Sequence, residues 1–164
     1  MSDKQFVREV YDASYGRLVI QMLAVCGDPG DAEDAVQEAF VKAIGQGSRF
    51  EKLANQEAWL RTVALNHLRN RWRHNSVFRK IMPRIPGAVA TLDLSPDHVA
   101  LVAALRKIPY DLRLVVTLHH IADQTTAEIS RQLGVPEGTV KTRLVKGRNM
   151  LAKLLSDHEE SKHV

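Results

Sequence analysis

Cysteine is almost missing from this chain: Cys26 is the only one in 164 residues. A lone thiol excludes an intramolecular disulfide framework, and its place at the end of an apolar helical run marks it as a buried structural group. Glycine and proline are scarce too, at 9 and 6 residues, too few for an all-β protein with many turns. No apolar run approaches the roughly 18 residues that a membrane span needs. Met1 to Val10 is polar and of mixed charge, so no signal peptide is expected and the location expected is cytoplasmic. Catalytic patterns are wanting as well. There is no glycine-rich phosphate loop and no His/Cys spacing for zinc, and His119 and His120, being adjacent, diverge on a helix. No enzyme activity, metal or cofactor is therefore expected.

The most informative absence is local. From Ala58 to Thr91 there are 7 bases and no acid, and from Gly138 to Leu155 there are 5 bases and no acid. Each block follows an acidic stretch: 10 acids against 6 bases over Met1 to Glu57, and 6 against 4 over Leu92 to Glu137. The formal net charge of +4 hides this alternation. A solvated helix face normally mixes signs. Two acid-free blocks instead suit two nucleic-acid contacts separated by protein-facing surfaces.

What is present is helical periodicity. A first helix is expected from about Asp3 to Cys26, with Phe6, Val10, Leu18, Met22 and Val25 apolar. Gly27-Asp28-Pro29-Gly30 breaks the chain, and Asp31 can cap a second helix. Its expected core side is Ala35, Val36, Ala39, Phe40, Ala43 and Ile44, with Gly45 and Gly47 ending it. Asp31, Glu33, Asp34 and Glu38 stay outside. They splay along one helix, so a solvated or docking face is favoured over a metal site. Ser48 to Gln56 reads as a loop holding Phe50. A third helix follows from Glu57, with Leu60, Val63, Ala64, Leu68 and Trp72 on one side; core packing is expected for Trp59 and Trp72. Arg61, Asn66, Arg69, Asn70 and Arg73 lie on or near its rim, and arginine and asparagine beside aromatics suit phosphate and base-edge contacts. Asn75 to Leu94, with Pro83, Pro86 and Gly87, reads as an extended linker. Ser95-Pro96 opens a helix to about Lys107, and another covers Asp111 to Ala122.

The last periodic stretch predicts a helix-turn-helix. Thr125 and Glu128 fit a capping box, Gly134 a left-handed stop, and Pro136 a residue that cannot continue the first helix. In the second helix Val140, Leu144, Gly147, Leu151, Leu154 and Leu155 share one face. Thr142, Val145, Lys146, Asn149 and Lys153 share the other, with Lys141, Arg143 and Arg148 at its edges. A helix packed on one side and cationic on the other fits a major groove.

Three stretches together resemble the extracytoplasmic-function (ECF) group of bacterial RNA polymerase sigma factors: DAEDAVQEAFVKA at Asp31–Ala43, AWLRTVALNHLRNRWR at Ala58–Arg73, and AEISRQLGVPEGTVKTRLVKGRNML at Ala127–Leu151. Asn70, His67 and Gln124 depart from the usual pattern. The resemblance implies an all-α chain of two small helical domains: region 2 over 1–76, an extended linker over 77–95, region 4 over 96–156, and a polar tail over 157–164. Asp34, Gln37 and Glu38 would dock on the clamp helices of the polymerase β′ subunit, with the β flap a second contact on the core enzyme. The loop with Phe50 and Asn55, and the start of the next helix with Trp59 and Arg61, would hold an unpaired base of the −10 element, while Asn66, Arg69 and Arg73 grip the strand. Lys141, Thr142, Val145 and Lys146 would read the −35 element, with Arg143 and Arg148 nearer phosphates. A separate anti-sigma protein is common in the group. Two other readings stand beside it: an autonomous helix-turn-helix regulator, motivated by the C-terminal half alone, and a metal-dependent nucleic-acid enzyme using Asp31, Glu33, Asp34 and Glu38.

Overall fold

The computed structural model of the chain describes residues 2–81 and 94–162, with side chains for 2–73 and 94–161. The described residues form helices and turns, with no strand among them. Two compact units emerge, Met1–Leu92 and Asp93–Val164.

In the first unit α1 (Asp3–Cys26), α2 (Pro29–Gln46) and α4 (Gln56–Ile81) pack against one another around a shared core. Ser2 caps α1 through Gln5, and Gly27 ends it at φ 72°, a left-handed conformation that a side chain would strain. Asp28, rather than Asp31, caps α2: its Oδ1 accepts from the Asp31 amide at 2.9 Å, and Pro29 takes the first helical position. Proline is a breaker inside a helix but is suited to that position, because its missing N–H would be unsatisfied there anyway. The break is thus only two residues wide.

Ala32, Ala35, Ala39 and Ala43 line the buried side of α2 with Val36 and Phe40. Small side chains at three- and four-residue spacing allow α1 and α4 to approach closely. Ile44 was expected among them, but it is 52% exposed. At 100° per residue it falls roughly 40° past the edge of that stripe. Gly45 does not end the helix either, which runs to Gln46.

The expected loop after α2 contains a four-residue helix, α3 (Ser48–Glu51), which buries Phe50 completely. Helix α4 then continues to Ile81, so residues 77–81 are helical although the linker was expected to begin at 77. No proline or glycine interrupts the sequence before Pro83. Of the rest of that linker, 82–93 lies outside the described residues, and Ser95 belongs to the start of the next helix. Trp72, expected in the core, is 40% exposed.

The second unit contains α5 (Pro96–Arg106), α6 (Tyr110–Val116), a π turn (Thr117–Ile121), α7 (Thr126–Leu133) and α8 (Glu137–Lys162). Ser95 caps α5 and Pro96 sits at its first position. Leu105, Ile108, Leu114, Val115, Leu118, Ile129, Val140 and Leu144 form the core. Helices α6 and α8 cross at Gly147, where a β-carbon would stand 2.6 Å from Val116 Cγ2. The polar tail continues α8 to Lys162, and no proline or glycine from Ser156 onward breaks the helix.

Candidate nucleic-acid and protein interface

In the second unit the helix-turn-helix is built by its caps. The Glu128 amide donates to Thr125 Oγ1 (3.1 Å) and the Thr125 amide to Glu128 Oε1 (3.3 Å), a reciprocal capping box. Gly134 closes α7 at φ 68°, and Ser130 Oγ donates to the Val135 carbonyl (2.6 Å) to fix the turn. Thr126 Oγ1 donates to Glu137 Oε1 (2.7 Å), tying the start of α7 to the start of α8. These local bonds set the angle at which α8 leaves the unit.

Helix α8 buries Val140, Leu144, Gly147 and Leu151 and presents Lys141, Thr142, Val145, Lys146 and Arg148 to solvent. Arg143 is half-buried. Val145 is 50% exposed, an apolar group held out among cations, as a thymine-methyl contact would require. Two details were not legible beforehand. Thr142 Oγ1 donates back to the Gly138 carbonyl (2.9 Å), which uses its proton within the helix and leaves its lone pairs and methyl outward. Lys141 Nζ lies 3.8 Å from Glu137, just outside the acid-free block. A cleft of about 480 Å³ joins Thr142, Arg143 and Lys146 to Pro109, Asp111 and Leu112 at the start of α6.

Within the π turn, His119 Nδ1 is 2.9 Å from the Gln124 carbonyl. Burial holds the His120 ring below its ordinary pKa, and the charges of His119 and Arg148 push the same way.

In the first unit the four α4 arginines with described side chains divide by direction. Asn66 and Arg73 are exposed and Arg69 is half-buried. Helical spacing puts these three within roughly 60° of one another, a single outward face. Arg61 points inward: it is 7% exposed and its Nε donates to Gln21 Oε1 at 2.9 Å. Phe50 likewise lies inside, edge-on to Phe6 and to Trp59 with centroids 6.0 and 5.5 Å away. Both were expected to touch DNA; both side chains are instead buried within the first unit. Asn55 is exposed, and its Oδ1 accepts from the Ala58 amide (3.0 Å), capping α4. Trp59 is half-buried above Phe50.

Arg71, which the sequence did not single out, turns toward α2. Its Nη1 donates to Asp34 Oδ2 at 2.8 Å, and its Nη2 lies 3.6 Å from Asp31 Oδ1. The bond to Asp34 raises the Arg71 pKa further. On α2, Asp34 and Gln37 are exposed and Glu38 is half-buried. They share a face with Val41, which is 61% exposed. A cleft of about 340 Å³ is lined by Asp34, Gln37, Glu38, Val41, His67 and Arg71. On its α1 side, Tyr11 and Tyr15 stack at 4.5 Å, Tyr11 meets Phe40 at 5.0 Å, and Gln37 Nε2 reaches the Tyr15 hydroxyl at a long 3.4 Å. Burial pushes the Tyr15 phenol pKa up. Among the described residues no three His, Cys, Asp or Glu side chains converge as metal ligands, and no helix is long and apolar enough to cross a membrane.

Each unit matches a family model: residues 11–77 match sigma-70 region 2, and residues 98–151 match sigma-70 region 4. The chain is 29% identical to the ECF RNA polymerase sigma factor SigW of Bacillus subtilis, covering 91% of this chain and 87% of that protein. It is 31% identical to SigL of Mycobacterium tuberculosis, another ECF RNA polymerase sigma factor, covering 87% of this chain and 85% of that protein. Among solved structures it resembles the sigma factor RpoE in complex with the anti-sigma factor NepR from Bartonella quintana, with a TM-score of 0.69 and 25% identity over 93% of this chain and 96% of that one. With both regions matched and the likeness running through most of its length, this chain belongs to the ECF RNA polymerase sigma factors.

Proposed function

We propose that the chain is an alternative sigma factor that binds core RNA polymerase, selects a promoter class and opens its −10 element. Its part is binding and strand separation in the cytoplasm, with RNA synthesis left to the polymerase. The observation that carries this reading is the pair of outward cationic faces on separate helical units, Asn66/Arg69/Arg73 on α4 and Lys141 to Arg148 on α8. An ordinary helix-turn-helix regulator needs only the second.

The roles divide as follows. Lys141, Thr142, Val145 and Lys146 read base edges of the −35 element, with Arg143 and Arg148 on phosphates. Asn66, Arg69 and Arg73 hold the −10 strand. The segment after α3, with Asn55 and Trp59 at its rim, takes up an extruded base. Unstacking a base costs a few kcal/mol, and a preformed rim over the Phe50 floor offsets it without reorganisation. Asp34, Gln37 and Glu38 meet the β′ clamp helices, and the second unit also meets the β flap. The proposed division is region 2 over 1–76 and region 4 over 96–156, with the segment 77–95 as the linker. An anti-sigma protein is a further partner, supported by the likeness to RpoE, whose solved form is such a complex.

Core-polymerase pull-down followed by run-off transcription on a promoter library tests this. The expected result is core binding and initiation at one promoter class, with weak duplex binding by the free protein. Tight, salt-sensitive binding of a palindromic duplex by a dimer without polymerase would instead establish an autonomous regulator.

A further inference from the structure

We infer that Arg71 is a positioning residue for polymerase docking: it belongs to the cationic helix by sequence but serves the acidic face of α2. This rests on the docking role proposed for Asp34, Gln37 and Glu38. Three observations lead to it. The guanidinium of Arg71 holds Asp34 Oδ2 at 2.8 Å, within the range of a charge-assisted hydrogen bond, and lies 3.6 Å from Asp31 one helical turn away. Its side chain is 36% exposed while that of Asp34 is 55% exposed, so the carboxylate is fixed from its protein side and still open to a partner. Finally, Arg71 and His67 of α4 line the same cleft as Asp34, Gln37, Glu38 and Val41, so the face is assembled from two helices.

The physical consequence is preorganisation. An exposed aspartate samples several rotamers, and docking on a basic partner would have to freeze one. Arg71 freezes it beforehand with one prong of a rigid fork, while the other prong faces Asp31. Asp34 accepts more than one hydrogen bond, so a partner's arginine or lysine can add to the pair rather than replace Arg71. The charge of Arg71 is thereby turned away from the outward face made by Asn66, Arg69 and Arg73.

The test is a binding and initiation series with the full-length protein and core polymerase. Arg71→Ala is expected to weaken core binding about three- to tenfold, the fold-change that one immobilised side chain is worth. Arg71→Lys, which keeps charge and fold but loses the fork, is expected to recover part of it. In an Asp34→Asn background, Arg71→Ala should add little. Initiation from the favoured promoter should return to the unmodified rate once the Arg71→Ala protein saturates the core. Three results would overturn the inference: unchanged core affinity in Arg71→Ala, an equal loss in the Asp34→Asn background, or a rate defect that persists at saturation, which would put Arg71 on DNA. If the unmodified chain itself fails to bind core, the docking role fails instead, a separate outcome.

Discussion

Replacing Gly147 by alanine tests how closely α6 and α8 approach. Alanine is the better helix former by about 1 kcal/mol, so on propensity alone the change should stabilise. Packing argues otherwise. The new β-carbon would stand 2.6 Å from Val116 Cγ2 and 3.4 Å from the Leu112 carbonyl oxygen. Val116 is 4% exposed and β-branched in a helix, so its rotamer cannot swing clear. Overpacking of this kind costs about 1–3 kcal/mol, which leaves Gly147→Ala destabilised by up to roughly 2 kcal/mol after the propensity gain. Gly138 supplies the control, because it lies in the same helix with nothing within 4 Å of its would-be β-carbon. Gly138→Ala shares the same loss of unfolded-chain freedom, so the difference between the two variants isolates the clash. For a unit of this size the variants should melt about 4–20 °C apart, followed by circular dichroism with amide exchange in α6 and α8 to assign the transition. Val116→Ala should then reverse the sign, making Gly147→Ala favourable in that background. Equal melting of Gly138→Ala and Gly147→Ala would refute the close crossing.

Lys146→Ala should weaken use of particular −35 sequences by about 1–3 kcal/mol, whereas Asp34→Lys should lower core binding at every promoter; competitive run-off assays separate the two, and a shared promoter-specific defect would undo the division of roles. Thr125→Ala removes one arm of the capping box and should cost about 1 kcal/mol in urea denaturation of the second unit. His120 is harder to protonate in the folded chain than its ordinary value of 6.5, so it lowers stability where the unfolded chain would be charged. The second unit should therefore lose stability as pH falls through that value toward the lower folded pKa, with no contribution above it. His120→Asn should flatten this part of the pH profile, and an unchanged profile would remove His120 from the account.

The features legible in the sequence were those written in neighbouring residues. Thr125 and Glu128 announce the α7 cap, Ser95-Pro96 the α5 start, and Gly134 the stop between α7 and α8, because each acts within a turn of itself. The outward α8 residues followed from 3.6-residue periodicity. What was misjudged depended on distant partners or on burial. Arg71 finds Asp34 37 residues away and Arg61 finds Gln21 40 residues away, so a count of bases treated both as outward charge. Phe50 looked exposed because its segment looked like a loop, but α3 turns it under Phe6 and Trp59. Pro29 read as a break when it was the first residue of a helix. The π turn at Thr117–Ile121 has no signature in its residues; it follows α6 and precedes Asp123, whose φ is 55°.

Helix α8 runs 26 residues, yet among its described side chains the last buried one is Leu151, and Leu154 and Leu155 are only half-buried. The remaining turns stand in water, and so short a segment would scarcely hold a helix on its own, since the first turn costs far more than each added residue returns. Its order is inherited: the packed half supplies the nucleus and the exposed half is elongation. Asp157, Glu159 and Glu160 sit near the negative end of the helix dipole, where acids oppose it. Melting of this end is therefore a zipper rather than a switch. Amide protection should decline residue by residue from Leu151 toward Lys162, and the cationic turns upstream stay outside that process.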